Sequence, residues 1–163
     1  MEANSIAIGL VIVHMVYYLW FQVISDFQRI GMIHNTPHIE IERLRSKYNV
    51  NIKTFQKNTV HYGFAWFRTI YLNENLLRMK KRKQPDPFYL LKWSFHHEHY
   101  HLQHHHKRNV LLHRFVFSLL PLLIMIHWIP FVVVYVLAAY GMYYLKEKVY
   151  ERNANNYANE QMK

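Results

Sequence analysis

The chain contains no cysteine. Disulfide bonds, thiolate metal ligands and a cysteine nucleophile are thereby excluded, which leaves His, Asp and Glu as the metal-binding side chains. Acidic residues are scarce as well, 10 against 20 Lys and Arg, so the formal charge is +10. Such a balance by itself points to an anionic partner, nucleic acid or lipid headgroups. At 163 residues the chain also lacks the length for a large two-domain enzyme. What it has in excess is histidine and tyrosine, 13 of each, and apolar residues, which make up 52% of the chain.

The apolar residues gather in three blocks with the charges crowded between them, a pattern that predicts a membrane protein and a lipid bilayer as partner. Residues 5–24 form 20 positions without formal charge and predict a first transmembrane helix. Glu2 directly after Met1, and the absence of a small-residue cleavage site, set this block apart from a cleaved signal peptide. Residues 111–128 and 130–145 predict a transmembrane hairpin with short arms, kinked at Pro121. Between these blocks, residues 26–109 carry 15 Lys and Arg against 6 Asp and Glu, so the positive-inside bias assigns them to the cytoplasm. The basic run at residues 78–83, RMKKRK, then reads as retention charge, and no nucleic-acid partner is expected.

Within that central region, Thr36 and Pro37 predict the N-cap and first residue of a helix that ends by Tyr48. Residues 50–55 and the aromatic, β-branched run 60–72 around Gly63 and Ala65 predict strands. A short helix is expected over residues 76–83. Asp86 and Pro87 then open a longer helix, predicted to run to about Lys107.

That last helix carries FHHEHYHLQHHH, with seven His between His96 and His106. Its one sharply defined pattern is the HExxH formed by His97, Glu98 and His101. Residues four apart on a helix are neighbours, so the two imidazoles can converge on one zinc ion. Glu98, beside the first of them, is then placed as general base for a water made acidic by the metal. The pair His101 and His105 has the same spacing but only Leu102 where the base should stand. His96, His99, His104, His105 and His106 read as a solvated helix face.

A third ligand is expected from the polar tail, where Glu147 and Glu151 are the acidic candidates. Here the sequence resembles the membrane gluzincin metallopeptidases, the group of the HtpX-type heat-shock proteases and the CAAX prenyl endopeptidases. In that family HExxH is followed by two transmembrane helices and a helix bearing ExxA[D], whose Glu completes the zinc site. Glu151, Ala154 and Asn155 stand where that motif falls. The resemblance makes Glu151 the third zinc ligand and puts Asn155, in place of the usual Asp, behind an imidazole. It also assigns the segment Phe64, Ala65, Trp66, Phe67 and Arg68, continuing to Leu72, as the strand that pairs with extended substrate. Only 12 residues follow Glu151, and Tyr157 is the candidate among them for stabilising an oxyanion.

The resulting expectation is a mainly α membrane protein: three transmembrane helices with a small cytoplasmic α+β zincin-like unit. Its regions are a transmembrane helix over 1–25, a catalytic region over 26–109, a transmembrane hairpin over 110–145 and a ligand-bearing helix over 146–163. The activity expected is zinc metalloproteolysis of membrane-associated or misfolded proteins, with one Zn2+ per chain and a second copy or partner subunit available to complete the cleft. Two other readings compete. His34 and His38 form an HxxxH, and His101, His104 and His105 an HxxHH, which resemble boxes of membrane di-iron desaturases and hydroxylases. A non-enzymatic, His-rich membrane adaptor that binds metal loosely is the other.

Overall fold

In the computed structural model, residues 5, 6, 8–17, 20, 32–56, 62–66, 68–79, 84–119 and 128–163 are described. They fall into two compact units, one of residues 1–27 and 108–149, the other of residues 28–107 and 150–163.

The second unit is built on a four-stranded mixed sheet in the order β1, β2, β4, β3. Strand β1 (Met32–His34) runs antiparallel to β2 (Asn51–Gln56), β2 runs parallel to β4 (Thr69–Asn73), and β4 pairs antiparallel with β3 (Gly63–Trp66). Between β1 and β2 lies helix α1 (Ile39–Tyr48). His38 caps it, its Nδ1 accepting from the Glu40 N–H at 3.2 Å. Thr36, the expected cap, is engaged elsewhere, its hydroxyl donating to Glu74 and its N–H to the Thr54 hydroxyl. The helix therefore starts later than Pro37 suggested, and it ends at Tyr48 on a left-handed Asn49. A 3-10 turn (Glu74–Leu77) replaces the start of the expected short helix, whose residues 80–83 lie outside the described ones.

Helix α2 (Tyr89–Gln103) covers the sheet. Its N-cap is Phe88, without a side-chain cap, so it starts two residues later than the expected Asp86 cap and Pro87 start; Asp86 instead accepts from the Phe88 N–H at 2.8 Å and from Lys92 at 2.7 Å, and Lys92 also pairs with the buried Glu40. Leu91 and Phe95 enter the core with Ile41 and Leu44 of α1, Ile52 of β2, Ile70 and Leu72 of β4, and Leu76. Burial of that set away from water is the main driving force for this unit. Helix α2 stops short of Lys107. His104 and His105 break it, His105 in the left-handed region at φ 51°, and helix α3 (His106–Leu119) begins anew.

The other unit contains the described N-terminal helical residues, α3 from Arg108 onward, and α4 (Trp128–Tyr144). Inside it the Tyr135 hydroxyl lies 3.2 Å from His14 Nε2. Among the described residues no helix is long and apolar enough to cross a membrane. Helix α4 has 17 residues, which at about 1.5 Å per residue falls short of the roughly 30 Å of a hydrocarbon core. This overturns the expected three transmembrane spans, and with them the integral-membrane location and the cytoplasmic assignment of the catalytic region. The fold is α+β with a mixed sheet; Pro121 and the rest of the expected hairpin tip lie outside the described residues. A π-helical stretch (Leu145–Tyr150) follows α4 and leads into α5 (Glu151–Gln161).

Candidate metal centre

The centre is assembled by two helices of the second unit. On α5, Ala154 and Ala158 are fully buried, and these small side chains let the helix lie close against α2. Their neighbours one turn apart then meet a stripe on α2 that also repeats every four residues. Trp93 Nε1 donates to Asn159 Oδ1 at 2.9 Å, His97 Nδ1 lies 3.0 Å from Asn155 Oδ1, and His101 Nε2 lies 3.6 Å from Glu151 Oε1. Residue numbers fall on α5 as they rise on α2, which is the register of an antiparallel pair.

At the end of this stripe three donor atoms converge. His97 Nε2 and His101 Nε2 are 3.1 Å apart, and Glu151 Oε2 is 3.3 Å from His97 Nε2. His97, His101 and Glu151 together could hold a metal ion. His101 Nε2 meets the other carboxylate oxygen, Oε1, at 3.6 Å, and one ligand atom from each of the three residues lies within 4.8 Å of the others. The far sides of the rings fit too. With both Nδ1 atoms engaged, by Asn155 and by His106 at 2.7 Å, the Nε2 atoms are the ones left facing the common point. No other group of three or more His, Asp or Glu among the described residues is arranged to hold a metal.

The electrostatics follow from that convergence. Hydrogen bonds with His101, and then with His97, hold the Glu151 carboxyl well below the usual carboxylate range. Burial opposes charge on His97, but Glu151, Glu98 and Asn155 together outweigh it and raise the imidazole. Glu98 is pushed up, first by burial and further by Glu151, while His97, His101 and the Ala65 N–H it accepts from act the other way. A carboxylate raised in this manner is a better base.

Glu98 lies against strand β3. A Cβ on Gly63 would stand 3.2 Å from Glu98 Cγ and 2.9 Å from the Tyr71 carbonyl oxygen, so only glycine permits this approach. The expected substrate strand is divided by the structure. Phe64, Ala65 and Trp66 belong to β3 at the sheet edge, Arg68 stands in the turn, Phe67 lies outside the described residues, and Leu72 is in β4 in the sheet interior. The Asn73 N–H donates to the Tyr62 carbonyl at 2.8 Å, and with the register of β3 on β4 this turns Tyr62, Phe64 and Trp66 toward β4. The backbone groups of Gly63 and Ala65 therefore face the open edge.

Tyr157 takes a different place from the one expected. Its ring lies 5.4 Å from Tyr100 and 6.3 Å from His96, on the flank of α2 turned away from Glu98. The solvated His face is corrected as well: His96, His99 and His106 are buried. His96 and His99 pack around the Tyr48 ring, and burial pushes the His96 imidazole down to about 4. His104 and His105 are the exposed pair, with His104 Nδ1 at 2.9 Å from the Tyr100 carbonyl. The other box, His34 and His38, sits on a strand end and a helix cap rather than on a helix face. No protein-family model, no curated protein and no solved structure matches this chain.

Proposed function

We propose that the chain is a zinc-dependent peptidase of gluzincin type, with His97, His101 and Glu151 as ligands and Glu98 as general base. The observation that carries this reading is the triangle of two imidazole nitrogens and one carboxylate with Glu98 beside it, delivered by one helical turn and a separate helix. Zinc bound there supplies Lewis acidity, polarising a scissile carbonyl and acidifying the attacking water. Glu98, oriented by the Ala65 N–H, takes the proton of that water and later passes it to the leaving amine. Asn155 accepts from His97 Nδ1–H and fixes the ring, as a neutral group where a carboxylate would add charge.

The substrate of this reading is an extended peptide. No strand lies beyond β3 among the described residues, and with the Ala65 N–H engaged by Glu98, the outward backbone groups of Gly63 and the Ala65 carbonyl suit a peptide added as a further strand, held by its main chain. Metal analysis of wild type and of His97→Ala, His101→Ala and Glu151→Ala, with an unfolded polypeptide as cleavage substrate, tests the proposal. One zinc in the wild type, lost in each variant together with cleavage, is expected. Bound zinc without cleavage would support a metal-binding protein without peptidase activity, and two irons per chain the oxygenase reading.

A further inference from the structure

His101 reaches the metal centre through Nε2, and its other ring nitrogen, Nδ1, lies 2.7 Å from Nδ1 of His106. Two ring nitrogens at that separation share one hydrogen, which belongs to either of them. A ring whose Nε2 faces a cation keeps its hydrogen on Nδ1, so His101 donates and His106 accepts. We propose that His106 is a positioning residue for the centre: by accepting the Nδ1–H of His101 it fixes the tautomer and rotation that aim Nε2 at the ion. The proposal rests on the metal-centre reading and adds a residue that HExxH spacing does not contain.

The backbone is arranged to make this contact. On an uninterrupted helix, residue 106 would stand about 140° around the axis from residue 101 and could not reach its ring. The break at His104 and His105 removes that obstacle. His105 adopts φ 51°, a conformation that disfavours any residue carrying a Cβ, and the chain re-enters a helix at His106. Strain of this kind persists where surrounding contacts over-determine it. Those contacts hold the His106 ring on two further sides. It stacks on Tyr150 at 4.1 Å and 15°, and meets Tyr100 edge-on at 5.5 Å, with 8% of the residue exposed. Both aromatic faces are apolar supports, so the hydrogen bond to His101 is the directional contact that sets the rotation of the two rings.

The test compares the wild-type full chain with two variants, each checked for folding by circular dichroism. His106→Phe keeps a ring to stack on Tyr150 and removes the acceptor. His106→Asn places its side-chain oxygen where Nδ1 stood. Zinc affinity is measured by competition with a chelator, and the Nδ1–H of His101 is followed by nitrogen-15 NMR of the zinc-loaded protein. Expected are a loss of about 10- to 100-fold in zinc affinity and a faster-exchanging Nδ1–H in His106→Phe, both largely restored in His106→Asn. If His106→Phe does not fold, His106→Gln, whose oxygen lies beyond the Nδ1 position, is expected to show the same loss. Zinc affinity in His106→Phe or His106→Gln equal to wild type would overturn the proposal, as would equal losses in the Asn and Phe variants. A wild-type chain that takes up no zinc overturns the metal centre itself, and the proposal with it.

Discussion

The single residues on which the proposed chemistry turns are Glu98 and Gly63. Glu98→Gln keeps the shape and an oxygen for the Ala65 N–H, and none of the three ligands is touched. The variant should bind zinc like the wild type and lose cleavage by about 10²- to 10⁴-fold, the usual worth of a positioned general base; undiminished cleavage would remove Glu98 from the mechanism. Gly63→Ala acts on the same carboxylate from the other side. Its Cβ meets a backbone carbonyl that cannot swing away, so strand or helix must shift. Overpacking of this kind costs about 1–3 kcal/mol, to be read from denaturant unfolding, and cleavage should fall while zinc stays bound. The HExxH pair was legible in the sequence because its geometry is local, set by the helical repeat alone. The Gly63 approach was not, since it joins residues 35 positions apart.

At the scale of elements, the centre depends on how closely α5 lies on α2. Ala154→Leu or Ala158→Leu inserts a branched side chain where the native residue is 0% exposed. The helices must part, and Glu151 moves with α5. A melting temperature well below wild type, together with weakened zinc binding, is expected for either variant; an unchanged affinity would mean that Glu151 is not placed by this contact. Lys92→Met isolates Glu40, which is buried beside it. Leaving this mostly buried carboxylate without its partner costs about 1–3 kcal/mol, measurable by urea unfolding. The β3 and β4 pair shows why elements were less legible than the site. Residues 60–72 are rich in aromatic and β-branched side chains, and after Gly63 no Gly or Pro marks a turn before Asn73. Pairing between strands, a non-local event, decided where the run folds back.

For the whole molecule, the burial of histidines makes stability depend on pH. His96 falls from an ordinary 6.5 to about 4 through burial, with His99 and nearby lysines adding to the effect. The unfolded chain therefore binds the proton first. The contribution of neutral His96 is fully present above about pH 6.5 and is lost as pH falls toward 4, so metal-free protein should lose denaturant resistance across that window. His96→Leu should flatten the slope, and an identical slope in this variant would sink the assignment. Metal acts in the opposite direction. On the proposed zinc reading, the metal at 100 times its dissociation constant would stabilise the folded chain by about 2.7 kcal/mol, so a chelator should lower the melting temperature.

By itself the sequence determined the local facts: a charge-segregated chain without thiols, an HExxH turn, and a tail helix whose 151, 154, 155 and 158 positions share one face. Only the tertiary structure decided the rest. Apolar composition does not state how long a helix will run, and the described helices stop short of a span. Seven histidines in one segment look alike on paper. The fold buries His96 and His99 around Tyr48, leaves His104 and His105 exposed, and turns His106 back onto His101 through one left-handed residue, because those roles are set by distant side chains packing together and not by spacing along the chain.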